Sequence, residues 1–297
     1  MGLQNVCSLA NMSLSEKIEI NLISIFDWGF VDKGGYFNVD IDQSGAYVDN
    51  LSVLQKVEDV RGYTCWQGPK NWVYETGADS SGVNAPPIIH VNNVLYTGVP
   101  IINYRDGNVV IPATTPTSVK AQYSYKWVNV TSARKVENYR SIRYRNTRTD
   151  LGNNENLAPM ELFVPMPFVT FDVPAISSSK PYGVGFLSPK LYSHRITAHV
   201  VGENHSDVVR IADIICKQKG YIFKTFDPQL VHNSGDYPLN FNGTKNSGKN
   251  HDQLANLYPW AEIRIDSAEA TNSSYIHENI CECQVLLKTT ILGCGCI

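Results

Sequence analysis

Two tight turns constrain this chain more than any other feature. Asn92-Asn93 separates Ile88-Ile89-His90-Val91 from Val94-Leu95-Tyr96, and paired asparagines tolerate the positive φ angles of a type I′ hairpin. Arg105-Asp106-Gly107-Asn108 plays the same part between Ile101-Ile102-Asn103-Tyr104 and Val109-Val110-Ile111. A strictly alternating segment follows, with Val119, Ala121, Tyr123, Tyr125 and Trp127 on one side and Lys120, Gln122, Ser124 and Lys126 on the other. One face of that strand is apolar and the other wet. From about residue 50 to 131 the period is two, and the segment reads as a compact antiparallel hairpin module.

A helix precedes it. Ser13-Leu14-Ser15-Glu16 forms a capping box, in which hydroxyl and carboxylate satisfy the first free amides. Leu14, Ile18, Leu22, Ile25/Phe26 and Phe30 repeat at helical spacing. Gly34-Gly35 supplies the stop, because glycine takes the left-handed conformation at little cost. The predicted helix covers residues 14–32.

Residues 132–156 are polar, basic and aperiodic, and Asn153-Asn154-Glu155-Asn156 reads as a loop. This places a domain boundary near 155, giving an N-terminal helix and hairpin module over 1–155 and a second domain over 156–297. The second domain opens with a strand from Met160 to Val173, whose prolines are expected to confine it to an edge or bulge. The next strand, Leu191 to Val201, puts Tyr192, His194, Ile196, Ala198 and Val200 on one side. Ser206-Asp207 is expected to cap a helix carrying Val208, Ile211, Ala212 and Ile215, which ends before Gly220. Tyr221 to Phe226 is extended, 233–256 reads as an Asn/Gly-rich loop, and Ala261–Asp266 and Asn279–Ile291 alternate as the closing strands. This order predicts an α+β domain with one main helix packed on a mixed or antiparallel sheet.

Composition narrows the function. The 25 basic and 28 acidic side chains leave a formal net charge of −3, unlike the basic excess of proteins that wrap nucleic acid. Sixteen tyrosines, fifteen prolines and 21 glycines suit a β-rich, loop-rich protein. Mean hydropathy is −0.20, and no apolar run is long enough for a membrane helix. The first residues lack the basic and apolar regions of a signal peptide, although Gly2 fits the first position of a myristoylation signal. Seven cysteines exclude a fully paired disulfide framework, and without secretion reduced thiols are expected. The sequons at Asn11, Asn129, Asn242 and Asn272 would matter only after secretion.

No catalytic constellation assembles. The seven histidines (His90, His194, His199, His205, His232, His251, His277) show no metal spacing. No nucleophile elbow, phosphate loop or dinucleotide fingerprint occurs. Gly183-Val-Gly185 lacks a third glycine and a following helix. Asp40-Ile-Asp42-Gln-Ser-Gly45 lacks the terminal glutamate of a calcium loop. Cys281, Cys283, Cys294 and Cys296 could in principle supply four thiolates to zinc. Their pairs are separated by a single residue, however, so semi-buried thiols are the leading reading, with zinc and a disulfide as alternatives. One charge cluster stands out: Arg134, Lys135, Arg140, Arg143, Arg145 and Arg148, interleaved with Tyr139 and Tyr144. It reads as a solvated or subunit-contacting arm, since interfaces enrich arginine and tyrosine; a phosphate-facing role is the alternative.

Four stretches then suggest a family. Asn71-Trp-Val-Tyr-Glu-Thr-Gly, Ile89-His-Val-Asn-Asn-Val-Leu-Tyr, Ile102-Asn-Tyr-Arg-Asp-Gly-Asn-Val-Val-Ile and Val119-Lys-Ala-Gln-Tyr-Ser-Tyr-Lys resemble virion proteins of tailed bacteriophages. The second half resembles the neck or tail-terminator class in its strand 191–201, the helix Asp207-Val-Val-Arg-Ile-Ala-Asp-Ile-Ile, Lys219 to Asp227, and its paired C-terminal strands. The resemblance implies a non-enzymatic structural protein without a cofactor, forming a hexameric or dodecameric ring between head and tail. Its implied partners are further copies of itself, other neck proteins, the tail tube and the tail sheath, with DNA passing through the channel without sequence recognition and no membrane. The implied location is the virion neck, assembled in the host cytoplasm. The helix near 207–219 would pack on its own sheet while sheets of neighbouring subunits line the channel. A head–tail adaptor or head-closure protein is the nearest alternative. A capsid decoration or host-surface binding protein is another, with Tyr63, Trp66, Trp72 and Tyr74 as an aromatic platform unless these are core.

Overall fold

The computed structural model describes residues 12–39, 41, 50–60, 63–68, 72, 87–104, 107–112, 116–132, 166–174, 178–181, 190–237, 249–277 and 280–293. The chain is α+β, with an N-terminal helix and mostly antiparallel sheets. It divides into two compact units that interleave along the sequence: residues 1–29, 128–236 and 250–297 form the larger, and 30–127 with 237–249 the smaller. The single cut expected near 155 falls outside the described residues.

The smaller unit is one eight-stranded sheet. Its strands are β1 (Tyr36–Val39), β2 (Val53–Val60), β3 (Tyr63–Gln67), β4 (Ile88–Val91), β5 (Val94–Leu95), β6 (Ile101–Asn103), β7 (Asn108–Ile111) and β8 (Val119–Lys126). They pair in the order β5-β4-β8-β2-β3-β7-β6, with β1 also on β8. Both predicted hairpins are present. Asn92 and Asn93 have φ of 52° and 65°, and Gly107 has 67°. Val119, Ala121 and Tyr123 are buried as the alternation requires. Ser124 departs from it: the serine is buried because its hydroxyl bonds to Asn38 Oδ1 at 2.7 Å. Trp66 and Trp72 are core residues rather than a surface platform, and Trp72 stacks on Tyr123 at 4.9 Å. The side chain of Tyr63 and the whole of Tyr74 lie outside the described residues.

Helix α1 (Leu14–Asp32) occupies the predicted span. Glu16 Oε2 accepts from the Ser13 amide at 2.6 Å, completing the capping box. At the other end Gly35 N–H donates to Phe30 O and Gly34 N–H to Val31 O, the paired bonds of a Schellman stop. Gly34 has φ +80°, and a Cβ on Gly35 would come within 2.5 Å of Phe30 O, so each glycine has its own reason. Between these ends Ile18, Leu22 and Phe26 are buried, with Phe26 against Phe171 at 5.1 Å.

The larger unit is built on long strands: β9 (Asn129–Ser132), β10 (Phe168–Asp172), β11 (Ser178–Pro181), β12 (Lys190–Gly202), β13 (Ile222–Phe226), β14 (Pro259–Ala270), β15 (Ser274–His277) and β16 (Ile280–Gly293). Their order is β13-β14-β16-β12-β10-β9, with β11 on β12 and β15 on β16. All pairs are antiparallel except β9 with β10. Strand β10 is interior, contrary to the edge expectation. Pro165 and Pro167 precede Phe168, so the strand keeps every amide it needs for two neighbours.

Helix α2 (His205–Cys216) buries Val208, Ile211, Ala212 and Ile215 over β12, β14 and β16. It begins at Asn204, whose side chain accepts from the Ser206 amide at 2.9 Å, two residues earlier than expected. Two short helices were not expected: α3 (Pro228–Ser234), capped by Asp227 with proline at its start and lying mostly ahead of the predicted loop, and α4 (His251–Leu257), opened by an Asn250/Gln253 capping box at that loop's end.

Edge strand β13 is closed by side chains rather than by another strand. Asn21 of α1 is fully buried; its Oδ1 accepts from Phe226 N–H at 3.0 Å and its Nδ2 donates to Phe226 O at 3.0 Å. Lys17 Nζ reaches Asp227 at 3.0 Å one residue on. Replacing Asn21 by alanine strips two buried backbone groups of their partners at once, which costs about 3 kcal/mol. A fall of that size in the urea unfolding free energy of Asn21→Ala is expected; a change below ~1 kcal/mol would show that water can close this edge equally well.

Candidate functional site: the two faces of the larger sheet

Register assigns each side chain of the long strands to a face. His194, Ile196, Ala198 and Val200 of β12 lie opposite Thr289, Leu287, Val285 and Cys283 of β16. This face is covered by α2 and is dry. Cys281 and Cys283 both point into it, as strand alternation requires. The Cys281 thiol donates to Gly202 O at 3.3 Å and the Cys283 thiol to Thr271 O at 3.2 Å. Burial pushes both thiols up in pKa, and at Cys283 the neighbouring Cys216 and Glu282 add to the effect. A thiolate is therefore disfavoured at both positions, which opposes metal ligation. Among the described residues no group of three His, Cys, Asp or Glu side chains is placed to hold a metal ion. Cys294 and Cys296 lie outside the described residues. So does the whole arm of Arg134, Lys135, Tyr139, Arg140, Arg143, Tyr144, Arg145 and Arg148.

The opposite face differs between its ends. Toward Gly202 it is covered by Phe168, Val201 and Ile280, with Met166 and Ile276 packed against them. Beside this cluster His199 Nδ1 meets Glu282 Oε1 at 2.7 Å, and Gln284 Nε2 donates to the same oxygen at 3.4 Å. The Glu282 side chain is only 4% exposed, so the pair fastens β12 to β16 from inside.

Toward Lys190 the same face is open, and a groove of about 760 Å³ crosses four strands. Three rows of side chains make its floor. Leu191, Leu292 and Glu262 form the first row, Ser193, Thr290 and Arg264 the second, and Arg195 with Lys288 the third. Asp266, at the bulge of β14, has a partner at each oxygen: its Oδ1 accepts from Arg264 Nε at 2.7 Å and its Oδ2 from Thr290 Oγ1 at 2.5 Å. Alternation places this carboxylate on the open side with Glu262 and Arg264, and the bulge between Ile265 and Ser267 leaves Asp266 without a register partner on β16. Sequence periodicity carried the signal for the strands but not for their pairing, and pairing is what unites Arg195 with Lys288, 93 positions apart in the sequence.

Two histidines are buried for structural reasons. His251 Nε2 donates to Lys224 O at 3.0 Å and its Nδ1 faces the Ser24 hydroxyl at 3.1 Å. His194 has no hydrogen-bond partner at either ring nitrogen among the described residues. Burial lowers both pKa values, partly offset at His251 by Lys224 O and Asp252. No protein-family model matches the chain, and no curated protein matches it.

The unfolded chain protonates its histidines near pH 6.5, whereas these two stay neutral in the fold to lower pH. Below pH 6.5 the unfolded state then binds more protons, so stability falls with acidification through that window and is level above it. Urea midpoints measured from pH 7.5 to 5 should trace this slope. His194→Leu should reduce the slope and raise stability at pH 7 by about 1 kcal/mol, since it removes two unsatisfied polar atoms. An unchanged slope in that variant would mean His194 is hydrated in solution.

Proposed function

We propose that the protein is a structural subunit of the neck of a tailed phage, in the position of the ring that terminates the tail and surrounds the DNA channel. The carrying observation is an apolar, uncharged ridge on the smaller unit. From Ser80 to Tyr104 the sequence contains no Asp, Glu, Lys or Arg. Within that stretch Val94 is 68% exposed, Leu95 54%, Val99 84% and Ile101 59%. Strands β5 and β6 are the two end strands of the pairing order, and residues 96–100 connect them. Exposed strand ends on proteins that work alone are normally guarded by charge, above all lysine. Unguarded apolar ends of this kind mark a surface that another chain covers.

Closed rings make such surfaces useful, because a head-to-tail contact repeated by rotation buries every copy of the ridge. The α+β fold of the larger unit, with its helix on one sheet face, agrees with the resemblance of the second half to tail terminators. The arm from Arg134 to Arg148 would add arginine and tyrosine to the subunit contact. Acidic overall charge suits a channel in which DNA slides rather than binds.

Mass photometry of the purified chain should give a ring of six or twelve copies. Leu95→Lys with Val99→Lys places two charges on exposed positions outside the core. This double variant should keep its circular dichroism and weaken association roughly 100-fold. A chain that stays monomeric at high concentration and with tail tube present would overturn the assignment.

A further inference from the structure

We propose that the open groove of the larger sheet binds a phosphate ester, with the phosphate between Arg195 and Lys288 and the organic part over Leu191 and Leu292. Arg195 and Lys288 are directly opposite one another in the β12–β16 register, and both are exposed. Like charges so placed repel across about 5 Å and destabilise a sheet. The two acids nearby do not relieve them. Asp266 is taken up by Arg264 and Thr290, and Glu262 lies opposite Lys224 of β13. The third row of the groove therefore presents two cations without a carboxylate partner among the described residues.

The surroundings complete an anion site. Ser193 and Thr290 face each other in the next row; the Thr290 hydroxyl is committed to Asp266, which leaves the Ser193 hydroxyl as the donor beside the cations. A guanidinium offers a planar fork to two phosphate oxygens, and an ammonium offers a compact point charge to the third. From this end the floor turns apolar. Leu292 is 41% exposed and Leu191 lies opposite it, four residues along β12 from Arg195. At the rise of a strand that separation is about 13 Å, close to the length of a nucleoside monophosphate. A groove of about 760 Å³ lies within the size range of small-ligand sites. One end is cationic, the other carries two leucines beside Glu262, and the Ser193 hydroxyl stands between, which suits a ligand with a phosphate head and a flat, weakly polar body. The inference is independent of the ring assignment, since the groove belongs to a single subunit.

The test is isothermal titration of the full-length chain with adenosine 5′-monophosphate, inorganic phosphate and adenosine. Saturable binding of the monophosphate is expected, about tenfold tighter than inorganic phosphate, with adenosine not measurable. Arg195→Gln and Lys288→Gln should each weaken the monophosphate about tenfold, and raising salt from 50 to 300 mM should weaken it further. Both positions are exposed, so unchanged thermal midpoints will confirm that the variants fold. Lys219→Gln, in the turn after α2 and away from the groove, should bind as the parent does. No saturable binding up to millimolar monophosphate, or equal binding by the Arg195→Gln/Lys288→Gln double variant, would overturn the site. Inorganic phosphate binding as tightly as the monophosphate would overturn the role of Leu191 and Leu292. Binding of a short DNA duplex that these variants lose, without monophosphate binding, would overturn the small-ligand assignment.

Discussion

The larger unit depends on one side chain behaving as a strand. Asn21 presents its amide to Phe226 with the donor and acceptor of a peptide group, at 3.0 Å each way. Around that contact, Lys17 pairs with Asp227 and also lies over the Trp260 ring at 5.6 Å. Asp227 then caps α3 through Oδ1. His251 of α4 bonds to Lys224 O on the same edge. Side chains from α1 and α4 thus converge on the backbone and flank of residues 224–227. An unpaired edge invites association with another strand, and here two side chains, Asn21 and His251, occupy backbone bonding positions that such a strand would use.

This arrangement explains what the sequence could and could not disclose. Elements whose logic is local were readable: the capping box and paired glycines of α1, the asparagine turn before β5, the alternation of β8, β12 and β16. Short helices were missed although their caps were present, since Asp227-Pro228 and Asn250 with Gln253 are helix starts on at most two turns of chain. The start of α2 was misplaced by two residues, since Asn204 caps it in place of the expected Ser206. Buried polar residues were the least visible. Lys17, Glu19 and Asn21 interrupt the apolar stripe of α1, and nothing within the helix says that Glu19 will bond to Ser132 or Asn21 to Phe226. The groove is equally non-local, because register alone brings Arg195, Lys288 and Arg264 onto one surface.

The two units use their surfaces differently. In the larger one, the covered face is dry and its cysteines behave as small apolar groups held by carbonyl contacts. The uncovered end of its sheet is mixed, with charged side chains beside the exposed Ile222 and Leu292. In the smaller one, the interior takes the tryptophans and Tyr123, whose hydroxyl donates to Leu51 O at 2.8 Å and whose pKa burial raises. Its apolar surplus lies instead on the outside, at the end strands. A charge-bearing open face and an uncharged apolar ridge are suited to different kinds of contact.

Residues 30–127, the main segment of the smaller unit, form one long excursion of the chain. Tyr36 on β1 pairs with Lys126 on β8, and Gly35 O accepts from Trp127 N–H at 2.9 Å. The entry and exit of this long excursion are therefore neighbours, fastened by its own ladder. For the surrounding polypeptide, such an excursion closes like a very short connection, since its folded state already holds the ends together and spares most of the closure entropy of a long free loop. Architecture of this kind behaves as a cassette: the hairpin module can lengthen, shorten or exchange its tips over evolutionary time while leaving the geometry of its attachment points unchanged.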